Sequence, residues 1–160
     1  VRKVNLKSVN LIKSFEALSL TPYKDLVGVW TIGWGTTYYP NGKRVTKADP
    51  AISKDEADYF LMHEITEKSQ MVDQFATKIG LQLNDNEFGA IVSFVYNVGI
   101  GAVIEGGRSL NQAMRSKNKK SIADIMLIYN KGTFLGVKKV IKGLERRRIA
   151  ERQLFLTPVL

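Results

Sequence analysis

Glu16, Asp25 and Thr31 put two carboxyl groups and a hydroxyl into the single stretch FEALSLTPYKDLVGVWTIGWGTT (residues 15–37), with eight residues between the first two and five between the last two. Paired carboxyls suit glycosidic bond cleavage. That reaction passes through an oxocarbenium-like state in which the leaving oxygen needs a proton and the opposite face of the sugar needs a water or a carboxylate. One carboxyl must then be protonated and the other ionised, which requires surroundings that push their pKa values apart. A neighbouring hydroxyl adds a group that can both donate to and accept from a water.

The elements around these residues are expected to hold them at one place. Apolar residues including Leu6, Val9, Ile12 and Phe15 recur at helical spacing, so residues 5–17 read as a helix with Glu16 in its last turn. Thr21-Pro22 cannot continue it, because the residue before proline avoids helical angles. Residues 23–37 then read as a hairpin turning near 25–28. In its second strand, Trp30, Ile32 and Trp34 alternate with Thr31, Gly33 and Gly35. Thr31 should therefore share a face with Gly33 and Gly35, and a face of small residues lets a ligand approach closely. Pro40-Asn41-Gly42 marks another turn, and residues 44–46 a third short strand, so residues ~20–50 form a small sheet.

Ser53 with Glu56 is a capping box opening a long helix over 54–79, which Gly80 ends. This helix is long enough to join two lobes. Asn84 with Glu87 repeats the capping logic for a helix over 85–98 that is apolar on most sides, the expected centre of a second lobe. Asn97, polar at the end of that helix, reads either as a C-terminal cap before Gly99 or as a donor to a sugar hydroxyl across a cleft. Shorter helices are expected near 109–116 and 119–130, and a last one from about 137 to 155. His63 reads as a surface residue in preference to a general base. The run Glu145-Arg146-Arg147-Arg148 cannot point three arginines one way, so about one should face inward, and a buried arginine needs a carboxylate.

The chain is 160 residues long, carries a net charge of +9 and has no cysteine and one histidine. Disulfides and cysteine-bound metals are excluded, and a histidine metal site is not expected. The positive charge favours an acidic partner such as nucleic acid, an anionic membrane surface or an anionic wall polymer. No apolar run approaches the ~20 residues of a membrane span. The basic N-terminal run VRKVNLKSVNLIKSF lacks the apolar stretch of a secretory signal. The arginine run has no aromatic interleaving or groove-reading motif, so a nucleic-acid partner is not expected. The glycines at 99, 101, 106 and 107 lack the order of a phosphate-binding fingerprint.

Three blocks carry a family resemblance: the Glu16–Asp25–Thr31 stretch, Ser93-Phe94-Val95-Tyr96-Asn97-Val98-Gly99, and residues 143–155 beginning Gly143-Leu144-Glu145-Arg146-Arg147-Arg148. In this order and spacing the chain resembles the phage lysozymes of the T-even type, the endolysin muramidases, over nearly its whole length. The resemblance implies an α+β, two-lobed lysozyme fold in one domain. Residues 1–53 would form a small sheet-containing N-terminal lobe, 54–80 a connecting helix and 81–160 an all-helical C-terminal lobe, with the active cleft between the lobes. It implies that Glu16 is the general acid, that Asp25 activates or orients the water with Thr31 helping to hold it, that Asn97 lines the substrate cleft and that Arg147 faces Glu16. Gly33 and Gly35 would leave room for the sugar.

The implied reaction is hydrolysis of the β-1,4 bond between N-acetylmuramic acid and N-acetylglucosamine in peptidoglycan, with no cofactor; the Thr31 hydroxyl, suited to hold a water beside Asp25, favours inversion. The expected partner is bacterial peptidoglycan, met by a monomer with no integral membrane segment. The enzyme would be made in the host cytoplasm and act on the wall in the periplasm after release. One departure stands out: Thr36 follows Gly33-Trp34-Gly35 where many relatives carry His, so an ion pair made by that His is absent. Two other readings compete. A lytic transglycosylase would cut the same bond without a hydrolytic water, and a non-catalytic wall-binding or phage structural module would not cut it at all. The carboxylate pair with Thr31 argues against both.

Overall fold

The computed structural model describes residues 2–160. The first helix, α1 (Leu6–Phe15), starts at Asn5, whose side chain accepts the Ser8 backbone N–H at 3.0 Å. It ends one residue before Glu16, which takes an extended backbone (φ −98°, ψ 101°) as the C-cap. The catalytic candidate is thus the first residue beyond the helix, with its own N–H still bonded to the Ile12 carbonyl at 2.9 Å.

The antiparallel hairpin of β1 (Ser19–Lys24) and β2 (Trp30–Gly33) follows, with Tyr23 opposite Thr31 and an irregularity in register between Ser19 and Tyr23. The third strand expected at 44–46 is reduced to an isolated bridge between Tyr38 and Arg44. The long helix α2 (Lys54–Ile79) has the capping box read from Ser53 and Glu56, and closes on Gly80 in the left-handed region (φ 71°). A glycine there avoids the steric cost any Cβ would bring.

The helix α3 (Asp85–Val98) opens with the second capping box, Asn84 with Glu87, and every residue from Asn86 to Val95 is buried. Helices α1, α2 and the C-terminal α7 (Lys142–Leu156) all pack on it. Its Phe88, Ile91, Phe94 and Val95 join Leu61, Ile65, Ile12 and Phe155 in one hydrophobic cluster. Truncating a buried phenylalanine in such a cluster typically costs ~3–5 kcal/mol. Between α3 and α7 run α4 (Gly101–Ile104), α5 (Ser109–Ser116) and α6 (Lys119–Met126).

The chain after α3 was expected to be all helical, and it is not. Residues 131–140 form a second antiparallel hairpin, β3 (Lys131–Phe134) with β4 (Val137–Val140). Its two-residue turn has Leu135 at φ 49° and Gly136 at φ 79°. Two successive positive φ values are the primed turn that matches strand twist, but Leu is not a residue that advertises it. Val137, Val140, Ile141 and Leu144 also fit helical spacing, which is why the pattern reads as a helix starting at about 137, five residues before α7 begins.

Candidate active site

The site is built on chain ends and turns held by the core. Glu16 leaves α1, and its Oε1 accepts Arg147 Nη1 at 2.7 Å. The Arg147 side chain is 3% exposed and that of Glu16 18%. Arg147 is itself fixed: its Nη2 donates to the Ser93 carbonyl at 3.1 Å and its Nε to Glu151 Oε2 at 3.2 Å. The acid candidate is therefore held by a buried side chain that is itself tied at two further points. On the other side of the carboxylate lies Gly35, at φ 87°, where an added Cβ would stand 2.5 Å from Glu16 Oε2. The Trp34–Gly35 turn is pinned in turn, by the Trp34 indole N–H to Asp58 at 2.8 Å and by the Tyr96 hydroxyl donating to the Trp34 carbonyl at 2.6 Å.

Asp25 sits in the turn between β1 and β2. Its Oδ1 accepts the backbone N–H groups of Val27 (3.0 Å) and Val29 (2.8 Å), and its own N–H donates to the Val29 carbonyl. An aspartate that bonds its own turn in this way is positioned by the backbone rather than by a neighbouring side chain. Oδ2 makes no hydrogen bond among the described residues and is the oxygen left for a ligand or water. Thr31 is buried (3% exposed), and its hydroxyl donates to the Val29 carbonyl at 2.9 Å, which leaves its lone pairs to accept.

The expected alternation through Gly35 does not persist, because β2 ends at Gly33. Gly33 turns its missing side chain toward Ala57, with Cβ at 3.4 Å, and toward Ile52, while Gly35 turns its own toward Glu16. Gly33 thus serves the packing of β2 on α2, and Gly35 borders the acid.

A cleft of about 760 Å³ lies against Phe15, Glu16, Asp25, Asn97, Tyr129 and Arg147. Glu16, Asp25, Asn97 and Arg147 share its wall; Thr31 lies beneath the surface. Asn97 is exposed, and its Oδ1 accepts Arg148 Nη2 at 2.7 Å, so the amide nitrogen is the end available to a ligand. Two of the three arginines face inward rather than one. Successive residues lie 100° apart on a helix, and α7 packs on α3, α6 and α1 together, so Arg147 and Arg148 are both enclosed while Arg146 stays exposed. Both draw on the same carboxylate, Glu151, which is fully buried.

Several groups at the site had not been singled out from the sequence. Tyr23 has its hydroxyl pKa raised by burial and then by the negative charges of Glu16 and Asp25. Tyr96 is raised by burial and by Glu64 and Glu16. Burial raises the carboxyl of Glu64 on α2. Glu151 alone had a readable signal, standing four residues after Arg147 and three after Arg148, on their side of a helix. At the departure noted above, Thr36 is buried with its hydroxyl unpartnered among the described residues. His63 lies apart from the site, 3.8 Å from Glu67 on the same helix. Among the described residues no group of three or more His, Cys, Asp or Glu side chains is placed to hold a metal ion, and no helix is long and apolar enough to cross a membrane.

The phage lysozyme family model matches residues 13–151, from α1 before Glu16 to Glu151 itself. The chain belongs to the phage lysozyme family. Its relatives include the endolysin of Acyrthosiphon pisum secondary endosymbiont phage 1, 28% identical over 95% of this chain and 97% of the relative. The endolysin of Bacillus phage B103 is 33% identical over 96% of this chain, and the chain spans about half (54%) of that longer protein. Among solved structures, an endolysin from Escherichia coli O157:H7 phage FAHEc1 superposes with a TM-score of 0.83 at 32% identity, covering 97% of this chain and 94% of its own. The muramidase domain of SpmX from Asticaccaulis excentricus superposes at 0.78 with 31% identity, over 99% of this chain and all of the domain. The family's fold, helices with small antiparallel sheets, is the one described above.

Proposed function

We propose that this chain is a lysozyme that hydrolyses the β-1,4 bond between N-acetylmuramic acid and N-acetylglucosamine in peptidoglycan and so lyses bacterial cells. The observation that carries the proposal is a carboxyl held at a cleft wall by a buried arginine, Glu16 on Arg147, with a second carboxyl, Asp25, tied into a turn on the same wall.

Glu16 gives its proton to the glycosidic oxygen as the bond from that oxygen to the sugar's C1 breaks. A water adds to C1 from the opposite face, and Asp25 takes the proton that this water loses. Arg147 stabilises the Glu16 carboxylate left behind. Thr31, with its hydroxyl proton committed to the Val29 carbonyl, accepts from that water and fixes its lone pair toward the sugar. A water between the carboxyls requires them ~6.5–9.5 Å apart and gives inversion. Asn97, braced by Arg148, donates to a substrate hydroxyl or acetamido oxygen. The backbone at Gly35, beside the acid, bounds the sugar's path, while Gly33 is turned toward Ala57 and Ile52.

In this reading residues 1–53 and 81–160 act as two lobes hinged on the 54–80 helix, and the enzyme works as a monomer without cofactor. It is made in the bacterial cytoplasm and reaches the wall after release. A second recess shares Tyr129 and Lys131 with the cleft; it is lined by Arg108, Lys131 and Lys138, with no carboxylate among its described lining residues, which suits an anionic polymer.

The protein added to permeabilised Gram-negative cells should clear their turbidity, and clearing should slow several-fold as salt rises from 0.1 M to 1 M. The screening length falls over that range from ~10 Å to ~3 Å. Cells that stay turbid at every salt concentration would leave a non-catalytic wall-binding role in its place.

A further inference from the structure

Glu151 lies behind the proposed acid, does not line the cleft and is not needed by the chemistry set out above. It nevertheless ties the site together. Its Oε2 accepts the Ser93 hydroxyl at 2.6 Å and lies 3.2 Å from Arg147 Nε; its Oε1 lies 2.8 Å from Arg148 Nε. Arg147 continues to Glu16 and Arg148 continues to Asn97. Arg148 is fully buried, stacks over the Phe94 ring at 4.9 Å, and leaves Nε and Nη1 without an aligned hydrogen bond. Such a guanidinium is a costly group to bury, and burial pulls its pKa down to about 10. The two arginines face one carboxylate inside the protein, Glu151, and one at the cleft, Glu16.

We propose that Glu151 is a positioning residue that sets how much positive charge Glu16 meets: it neutralises one of the two buried arginines, aims Arg147 at Glu16 and Arg148 at Asn97, and thereby couples the acid to the substrate-binding amide. This rests on the reading of Glu16 as the general acid.

The charge count gives the consequence. Behind Glu16, two arginines and one carboxylate sum to +1. Removing the Glu151 charge makes the sum +2, so Glu16 gives up its proton at lower pH. Removing the Arg148 charge makes it 0, so Glu16 keeps its proton to higher pH. Removing both restores +1. Among the described residues, the other titratable or charged groups around Glu16 are Glu64 on α2, Tyr96 on α3, Tyr23 on β1, Asp25 across Tyr23 and, lining the same cleft, Tyr129, Lys131 on β3 and Arg146 on α7. All of them are unchanged in these variants.

Burial pushes the Glu151 carboxyl up, while the two guanidiniums and the Ser93 hydroxyl pull it back. The net direction is upward, and the two guanidiniums at 2.8 and 3.2 Å are the contacts that favour its charged form.

The experiment compares wild type with E151Q, R148M and E151Q/R148M. It follows both the pH dependence of kcat/KM on soluble peptidoglycan fragments and the titration of the Glu16 side-chain carboxyl by 13C NMR. E151Q should move the alkaline limb and the NMR midpoint down by about one pH unit, and R148M should move both up by about as much, as expected for one charge at close range. The double variant should return both to the wild-type position. Both R148M variants should raise KM about tenfold, because Asn97 loses its partner.

A merely structural role would lower activity at all pH values and move neither limb nor midpoint. Unmoved midpoints in folded variants, or shifts of the opposite sign, overturn the proposal, and an unchanged KM overturns its Asn97 half. If E151Q does not fold, R148M alone decides by whether its midpoint rises. The NMR titration is independent of activity, so a wild type that released no fragments would count against the proposed function and not against this coupling.

Discussion

Replacing Glu16 by Gln should abolish lysis and leave the fold in place. Gln is nearly the same shape, and its amide oxygen can accept the Arg147 Nη1–H bond that Oε1 accepts now at 2.7 Å. Arg147 would not be left bare, because Glu151 and the Ser93 carbonyl still hold it. The substitution removes only the proton that the leaving oxygen needs. General acid catalysis contributes typically ~10²–10⁴-fold, and among the described residues the only other carboxyl lining the cleft is Asp25, which is tied into its own turn, so a loss in this range is expected in a turbidity assay with an unchanged circular dichroism spectrum. Activity within about tenfold of wild type would mean that another group supplies the proton.

The second large effect is expected at a residue with no side chain. An alanine at Gly35 would place its Cβ 2.5 Å from Glu16 Oε2 and 2.8 Å from its Cδ, far inside contact distance. The carboxylate cannot step aside freely, since Arg147 holds its other oxygen. The Trp34–Gly35 turn cannot yield either, since Asp58 and Tyr96 hold it from α2 and α3. The φ of 87° adds a backbone cost of roughly 1–2 kcal/mol for any residue with a Cβ. Displacing a catalytic group by about 1 Å can cost ~10²-fold, and G35A should lose activity on that scale while melting only a few degrees lower. G33A is the matched control. It also has positive φ (65°), but its Cβ would meet Ala57 at an ordinary 3.4 Å and points away from Glu16. It should lose stability and keep its activity. Equal kinetics for G33A and G35A would show that contact with Glu16 is not what matters.

The parts of this fold that could be read in advance are those fixed by neighbours in sequence. Ser53 with Glu56, Asn84 with Glu87, and Gly80 each mark a helix end through bonds spanning three or four residues, and α2 and α3 begin and end where those signals place them. The carboxylate spacing in residues 15–37 is likewise local, because a helix end, a hairpin and a turn carry the groups to one wall. What escaped depends on partners far along the chain. Residues 131–140 pair as strands although the apolar spacing from Val137 to Leu144 also suits a helix, and the turn between the strands puts a leucine in the left-handed region. Gly33 and Gly35 look equivalent in an alternating strand, but β2 stops between them and sends them to different neighbours. The second inward arginine could not be counted without knowing that α7 is enclosed by both α1 and α3.

The central claim is that a proton from Glu16 and a water held by Asp25 and Thr31 act on opposite faces of the sugar. Proton NMR of soluble peptidoglycan fragments, recorded as the first product forms and before it mutarotates, tests that claim most directly. A single displacement by water predicts the α-anomer of a new N-acetylmuramic acid reducing end. A β-anomer would mean that the configuration is retained and that Asp25 does not act by directing water; an anhydro-muramic product with no reducing end would mean that water does not enter at all.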